Sequence, residues 1–151
     1  MSDPEPTPPP PRKAVIDTLA KAEPSALAEL WARLGLTPSY RLVRGPETGL
    51  VMIRGRAGGG GAPFNLGEAS VTRATIRLET GEVGHAYALG RDGEKAVRSA
   101  LLDALWQREP DRIEAEVLAP LREQAAEAAT RLREETAATR VNFFTMVRGD
   151  D

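Results

Sequence analysis

The sequence contains no cysteine in 151 residues and a single histidine, His85. The missing cysteine excludes disulfides, iron–sulfur ligation, thiolate zinc sites and cysteine nucleophiles in this chain. One histidine argues against a histidine-based metal site and against a nucleophile–histidine pair, whereas carboxylate sites remain open. Few groups are left for catalysis by this chain alone, so we expect no catalytic residue and no metal site.

Long apolar runs and strong net charge are also missing. No stretch approaches the roughly 20 apolar residues needed to cross a bilayer, and residues 1–11 lack the basic start and apolar run of an export signal. The net charge of −2 gives no overall field that would attract nucleic acid or anionic lipid. We therefore expect a cytoplasmic protein that binds neither nucleic acid nor membrane.

Length and composition fit one globular domain. A chain with 41% hydrophobic and 28% charged residues can build a single core at this length. Residues 1–11 hold six of the twelve prolines and nothing apolar beyond Met1, which predicts a disordered tail. Residues 12–151 are predicted to form a single α+β domain with a C-terminal helix–strand extension.

Helical periodicity is present towards both ends of the chain. A buried stripe in the second predicted helix is formed by Leu27, Leu30, Trp31 and Leu34. Asp92 is placed to cap a later helix that ends before Pro110. The Ala-rich region after Pro120 has only a narrow apolar stripe, which is typical of a helix that faces solvent or a partner.

Turn signals predict two antiparallel hairpins in the middle of the chain. The first would join residues 40–44 to residues 50–56 through the turn-rich segment 45–49. The second would join residues 71–79 to residues 82–89. Together they predict an antiparallel sheet packed with helices.

The second hairpin is predicted with a two-residue loop, Thr80-Gly81. That loop pairs residues across one apolar face, namely Leu78 with Val83, Ile76 with His85 and Ala74 with Tyr87. On this register His85 lies on the core face. A partly buried, hydrogen-bonded histidine is therefore predicted in preference to a catalytic one.

Arginine and glycine are concentrated in one short region. Four arginines between residues 41 and 56 precede Gly58, Gly59, Gly60 and Gly61. Glycine amides can surround an anion, but the Lys-Ser or Lys-Thr pair of a phosphate-binding loop is replaced by Ala62-Pro63-Phe64. A flexible loop and an anion cradle both remain open. Our hypothesis is that Arg54, Arg56 and these glycines contact an anionic ligand or an acidic partner surface.

The C-terminal segment Arg140–Arg148 is predicted to be a strand that is apolar on both faces. Burying a phenylalanine or methionine side chain is worth about 1.5–3 kcal/mol, so this segment requires cover. It could enter the chain's own sheet or dock on a partner. The docking hypothesis assigns partner contacts to Phe143, Phe144, Met146 and Arg148.

Several short motifs follow one another in a characteristic order. They are Glu47-Thr48-Gly49-Leu50-Val51, Arg56-Ala57-Gly58-Gly59, Phe64-Asn65-Leu66-Gly67-Glu68-Ala69, Thr72-Arg73-Ala74, Leu89-Gly90-Arg91-Asp92, Ala104-Leu105 and Val141-Asn142-Phe143-Phe144-Thr145-Met146-Val147-Arg148-Gly149-Asp150. This ordered set resembles the G subunit of the bacterial carbon–phosphorus lyase system. The resemblance runs from about Arg12 to the last residue, and its final motif is the most specific.

The resemblance implies a subunit of a core complex with H, I and J subunits that catabolises phosphonates. In that family the G, H, I and L proteins couple an alkylphosphonate to the ribose C1 of ATP and expel adenine, and the I subunit carries the nucleosidase chemistry. The J subunit then breaks the carbon–phosphorus bond with S-adenosylmethionine and an iron–sulfur cluster. No catalytic residue of the G subunit carries over to this chain. The resemblance thus implies an accessory subunit, inactive alone and without a cofactor of its own, in a complex whose substrate is ATP.

Two functions from other classes remain open. The chain could be a free-standing phosphonate- or nucleotide-binding module that uses the glycine loop and the nearby arginines. It could also be a small hydrolase, although nucleophile–base pairs are scarce in the sequence. Stable, stoichiometric partners on purification favour the subunit, whereas a protein that purifies alone favours the module.

Overall fold

The structure is a computed structural model that describes residues 11–56 and 61–148, with side chains described except for Arg56, Pro63, Asn65 and residues 140–148. It has an α+β architecture with a three-stranded antiparallel sheet of order β1-β2-β3, as predicted. In chain order the elements are α1 (Pro11–Lys21), α2 (Pro24–Leu34), β1 (Tyr40–Arg56), β2 (Pro63–Leu78), β3 (Val83–Leu89), α3 (Gly93–Arg108), α4 (Pro110–Ile113), a π-helical turn (Glu114–Leu118) and α5 (Ala119–Arg148). The predicted N-terminal tail lies outside the described residues except for Pro11, which begins α1 because proline suits the first position of a helix.

Helix α3 is the centre of the core. It packs on β2 and β3, while α1, α2 and α4 pack against it. Asp92 caps its start as predicted, because the Asp92 carboxylate accepts a hydrogen bond of 3.0 Å from the Lys95 amide. The fully buried side chains come from every layer and include Val15, Leu19, Leu27, Ile76, Leu102, Ile113 and Val117.

The predicted register of the second hairpin is wrong by one residue. Thr75 is opposite His85, and the Leu78 amide donates to the Glu82 carbonyl across a three-residue loop that ends at Gly81, where φ is 109°. A slip of one residue reverses the two faces of a strand. The core face of β3 therefore carries Gly84, Ala86 and Ala88, whereas Val83, His85, Tyr87 and Leu89 lie on the other face.

The reversal follows from the close approach of α3 to β3. A Cβ atom on Gly84 would lie 1.8 Å from the carbonyl oxygen of Ala100, so only glycine fits at this contact. The space beside Ala86 and Ala88 likewise suits small side chains, and both are buried. The prediction that His85 is a core histidine is consequently wrong: His85 is exposed.

The first predicted hairpin is also wrong, because residues 40–56 form one continuous strand, β1, that pairs with β2 along its whole length. The Gly45-Pro46 turn signal falls instead within an irregularity of the ladder between Arg44 and Glu47. Proline cannot donate to a ladder and is tolerated at such a bulge. Gly45 has φ of 75°, and a Cβ there would lie 2.6 Å from the Arg73 carbonyl. The connection between β1 and β2 is the later segment 57–62.

The prediction of a C-terminal strand is also wrong, because the backbone of residues 140–148 continues α5 as a helix. Adding residues to an existing helix costs far less than starting one, and β propensity depends on a neighbouring strand to pair with. Pro120 does not interrupt the helix: it lies at the start of α5, just after the π-helical turn Glu114–Leu118. The described sheet therefore does not include this segment.

Candidate functional site

The sheet face opposite α3, which we call the open face, carries polar and charged side chains from all three strands. Its residues lie in rows across β1, β2 and β3, and the partners in successive rows are Arg41–Arg77–Val83, Arg44–Thr75–His85, Glu47–Arg73–Tyr87 and Gly49–Val71–Leu89. Successive rows on one face of a strand are about 7 Å apart. The fold thus brings four arginines, the single histidine and a tyrosine onto one surface.

Only part of the charge on the open face is neutralised within the face. Arg44 forms an ion pair with Glu47, with 3.2 Å between Nε and Oε2. Arg41, Arg73 and Arg77 have no carboxylate within 4.0 Å among the side chains that the structure describes. The open face is therefore a basic surface.

Two hydrogen bonds orient the polar groups next to these arginines. The Thr75 hydroxyl lies 3.1 Å from His85 Nδ1, which holds the imidazole against β2. The Tyr87 hydroxyl donates to the Asp17 carboxylate at 2.6 Å. This hydrogen bond, with a smaller contribution from burial, raises the pKa of Tyr87 above its ordinary value. Tyr87 therefore stays protonated and anchors α1 at the margin of the open face.

A concave region lies in the middle of the open face. It has a volume of about 440 Å³, and its polar lining includes Arg44, Arg73, Thr75, His85 and Tyr87. Ile16 of α1 and Val51 of β1 add apolar walls. A volume of this size is within the range of small-molecule sites.

A buried carboxylate accepts a hydrogen bond from the outer edge of β3. Asp103 of α3 is 0% exposed and accepts hydrogen bonds from Arg12 Nε at 3.2 Å, from an Arg12 terminal nitrogen at 3.0 Å and from the His85 amide at 2.9 Å. Arg12 also donates to the Val83 carbonyl. The hydrogen bond with Asp103 raises the pKa of Arg12, although partial burial acts in the opposite direction. This cluster is structural, because the Asp103 carboxylate is buried and both of its oxygens accept hydrogen bonds from the protein.

Lys95 is a second buried charged group, and a buried lysine can mark a catalytic site. Burial lowers the pKa of Lys95, while the charges of Glu23 and Asp92 act against that shift. Its Nζ donates to the Ala20 carbonyl at 2.9 Å, at the end of α1. Lys95 is inaccessible and ties α1 to α3, so we assign it a structural role.

A larger cavity of about 820 Å³ lies at the start of α3, between Trp31, Tyr40 and Val97. Arg91 and Arg98 are on its rim, but Glu94 lies 3.6 Å from Arg98 and Asp92 occupies the helix terminus. Its basic groups are compensated by its own acids. This cavity is therefore less suited to an anion than the open face.

Beyond the third strand, β1 and β2 continue as a two-stranded extension, which we call the arm (residues 50–56 and 63–70). Six large apolar side chains on the arm are between 36% and 62% exposed: Leu50, Val51, Met52, Ile53, Phe64 and Leu66. Four of them are consecutive and therefore point to both faces of the strand. Two-stranded ribbons are marginal by themselves, and exposed apolar strands tend to associate. The arm is the kind of surface that another protein covers.

The predicted anion residues lie at the far end of this arm. Arg54 is opposite Asn65 and Arg56 is opposite Pro63. Gly61 lies within the segment that connects β1 to β2, whereas Gly58, Gly59 and Gly60 lie outside the described residues. Arg54 is ten residues from Arg44, or about 33 Å of extended strand. The structure therefore separates the arginines that the sequence shows as one group into two sites.

The remaining predicted site residues, Phe143, Phe144, Met146 and Arg148, lie in the last turns of α5, and their side chains are outside the described part. Sequence reasoning missed the pairing of Arg41 with Arg77, although the alternation of Arg73, Thr75 and Arg77 marked one face of β2.

In the described residues we find no helix long and apolar enough to cross a membrane. The same residues include no group of three or more histidine, aspartate or glutamate side chains arranged to hold a metal ion.

The protein has a small α+β core, an exposed apolar arm, a basic open face and a long exposed helix. This combination is typical of a subunit of a larger protein complex. The chain belongs to the family described as "Phosphonate metabolism protein PhnG", whose sequence model matches residues 10–149. It is 51% identical over 141 residues to the alpha-D-ribose 1-methylphosphonate 5-triphosphate synthase subunit PhnG of Rhizobium meliloti (strain 1021), an alignment that covers 93% of this chain and 90% of the relative. The predicted family membership is confirmed.

Proposed function

We propose that this chain is an accessory subunit of an alpha-D-ribose 1-methylphosphonate 5-triphosphate synthase in phosphonate catabolism. The observation that carries the proposal is the 51% identity, over 93% of the chain, to a subunit of that enzyme. The reaction couples an alkylphosphonate to the ribose C1 of ATP and releases adenine. ATP is thus a substrate of the complex, and the catalytic groups come from partner subunits.

The proposed partners are the H-, I- and J-type subunits of the core complex and the L-type protein, in the cytoplasm. S-adenosylmethionine and the iron–sulfur cluster belong to the J-type partner, and this chain contributes no cofactor. The exposed arm supports such contacts, because covering each of its large apolar side chains is worth up to about 1.5–3 kcal/mol. The alternative of a free-standing binding module leaves this apolar surface in water.

Helix α5 supports a second docking region. Its described side chains from residue 122 to residue 139 are all exposed, so this part of the helix leaves the core. A helix without a buried face is stabilised by local pairs or by a partner. We assign the partner contact to its last turns, with Phe143, Phe144, Met146 and Arg148 as the docking residues and the I-type subunit as the partner.

The far end of the arm has a proposed role of its own. Arg54, Arg56 and the glycine segment that includes Gly58, Gly59, Gly60 and Gly61 would contact an acidic partner surface or an anionic ligand. Replacing both arginines by alanine should reduce the activity of the assembled complex with little change in the stability of the isolated chain, because Arg54 is exposed. Growth on phosphonate equal to that of the parent would contradict this role.

Adenine release tests the proposed function. The purified chain with ATP and methylphosphonate should release no adenine, whereas the chain with its H-, I- and L-type partners should do so. Omitting only this chain from the mixture should abolish release, because the partners then lack a required subunit. Turnover by the rigorously purified chain alone, or full turnover without it, would contradict the proposal.

A further inference from the structure

Two positive charges face each other on the open face. Arg41 and Arg77 are direct partners on neighbouring strands. Like charges in directly opposite positions destabilise an antiparallel pair. No carboxylate of the described side chains lies within 4.0 Å of either guanidinium. A bound anion would offset this repulsion, which the fold alone leaves uncompensated.

The shape of the face indicates the size of that anion. The concave region of about 440 Å³ is lined by Arg44 and Arg73, and a second cavity of about 480 Å³ is lined by Arg41, Arg77 and Glu79. Because Arg73 and Arg77 are both on β2, the two cavities follow that strand one after the other. Two small cavities along one strand fit an elongated small anion better than they fit the flat surface of a partner subunit.

The charges indicate that the anion carries several negative groups. Four arginines line the two cavities. The carboxylates nearby are Glu47 and Asp17, each already engaged with a neighbour, and Glu79, which lines the second cavity without forming an ion pair with Arg41 or Arg77 among the described side chains. For a ligand with one negative charge, repulsion from these carboxylates would offset much of the attraction to the arginines. A guanidinium presents a planar fork of donors that matches phosphate oxygens, so a chain of phosphates can use several forks at once.

We infer that the open face binds the triphosphate group of the substrate nucleotide and of the ribosyl phosphonate product, with Arg41, Arg73 and Arg77 contacting phosphate oxygens. The inference rests on the proposed function, since the triphosphate is part of the product after which the Rhizobium meliloti enzyme is named. Thr75 and His85, joined by their 3.1 Å hydrogen bond, add polar groups to the lining of the first cavity. This chain would thereby hold the part of the substrate remote from the reacting ribose carbon.

Binding of inorganic triphosphate to the full isolated chain tests the site. Titration calorimetry should show binding that weakens as ionic strength rises. Arg73→Gln and Arg77→Gln should each weaken it about tenfold, because each removes charge-assisted hydrogen bonds to phosphate. Arg131→Gln on the exposed part of α5 is the matched control and should bind like the parent. The melting temperature of Arg77→Gln should not fall, since the change removes a like-charge pair.

The assembled enzyme separates this inference from the proposed function. Arg77→Gln should raise the KM for ATP about tenfold in adenine release, with the same partners recovered. The inference is overturned if triphosphate fails to bind, if Arg73→Gln and Arg77→Gln bind it like the control, or if these variants lose a partner subunit instead. If arginine-dependent binding is found but the partners and this chain release no adenine, the site stands and the proposed function is wrong.

Discussion

Asp103→Ala should lower the free energy of unfolding by about 2–4 kcal/mol, because the part-buried His85 amide would lose its acceptor and Arg12 would lose its carboxylate partner. The side chain of Asp103 is 0% exposed, so its removal also leaves a void. Arg12 is 41% exposed and can turn into solvent, which keeps the loss below that expected for a fully buried ion pair.

Urea denaturation measures this loss directly. Asp103→Asn keeps the size of the side chain and one acceptor oxygen, so its effect should be smaller than that of Asp103→Ala. Glu127→Ala on the exposed part of α5 is the control and should change stability by less than about 0.5 kcal/mol. Equal midpoints for Asp103→Ala and Glu127→Ala would show that the cluster does not hold α1, β3 and α3 together.

Removing residues 140–151 should abolish co-purification with the partner subunits while the remaining chain keeps a cooperative melt. The physical reason is the position of the core: Leu121 is the last buried residue of α5 among the described side chains, and residues 122–139 are exposed. The deleted region therefore follows a stretch of helix that does not touch the core. Loss of the docking residues should cost the complex most of its affinity, because a few apolar anchors dominate protein interfaces.

A triple variant, Phe143→Ser, Phe144→Ser and Met146→Ser, keeps the chain length and tests the apolar side chains themselves. It should also lose the partners, with the isolated chain as stable as the parent. A truncated chain that fails to fold would place the segment in the internal core. A truncated chain that recovers the partners in full would show that docking takes place elsewhere.

Local patterns in the sequence predicted the elements that depend on local chemistry. The stripe from Leu27 to Leu34 became α2, and Asp92 became the cap of α3. The register of β3 was missed because both faces of that strand carry apolar residues, so its periodicity allows either one to be buried. The deciding contact, between Gly84 and Ala100, joins elements that are distant in sequence.

The basic site was only partly predictable for the same reason. Composition placed Arg41, Arg44 and Arg54 in one group, but an extended strand carries Arg54 about 33 Å away from Arg44. Arg77 is 36 residues from Arg41 in the sequence, and only the β1–β2 register makes the two direct neighbours. In α5, the apolar residues after Arg140 were predicted to form a strand because the segment was considered by itself. The preceding helix, which it continues, was not taken into account.

The central claim is that this chain works as a subunit within a multi-protein enzyme. Its most direct test is purification of the tagged full-length chain under mild conditions from its own cells grown on a phosphonate, followed by native mass spectrometry. We expect stoichiometric complexes that contain the proposed partners and release adenine from ATP in the presence of methylphosphonate. Recovery of the chain as a free protein, with no stoichiometric partner under these conditions, would contradict the claim.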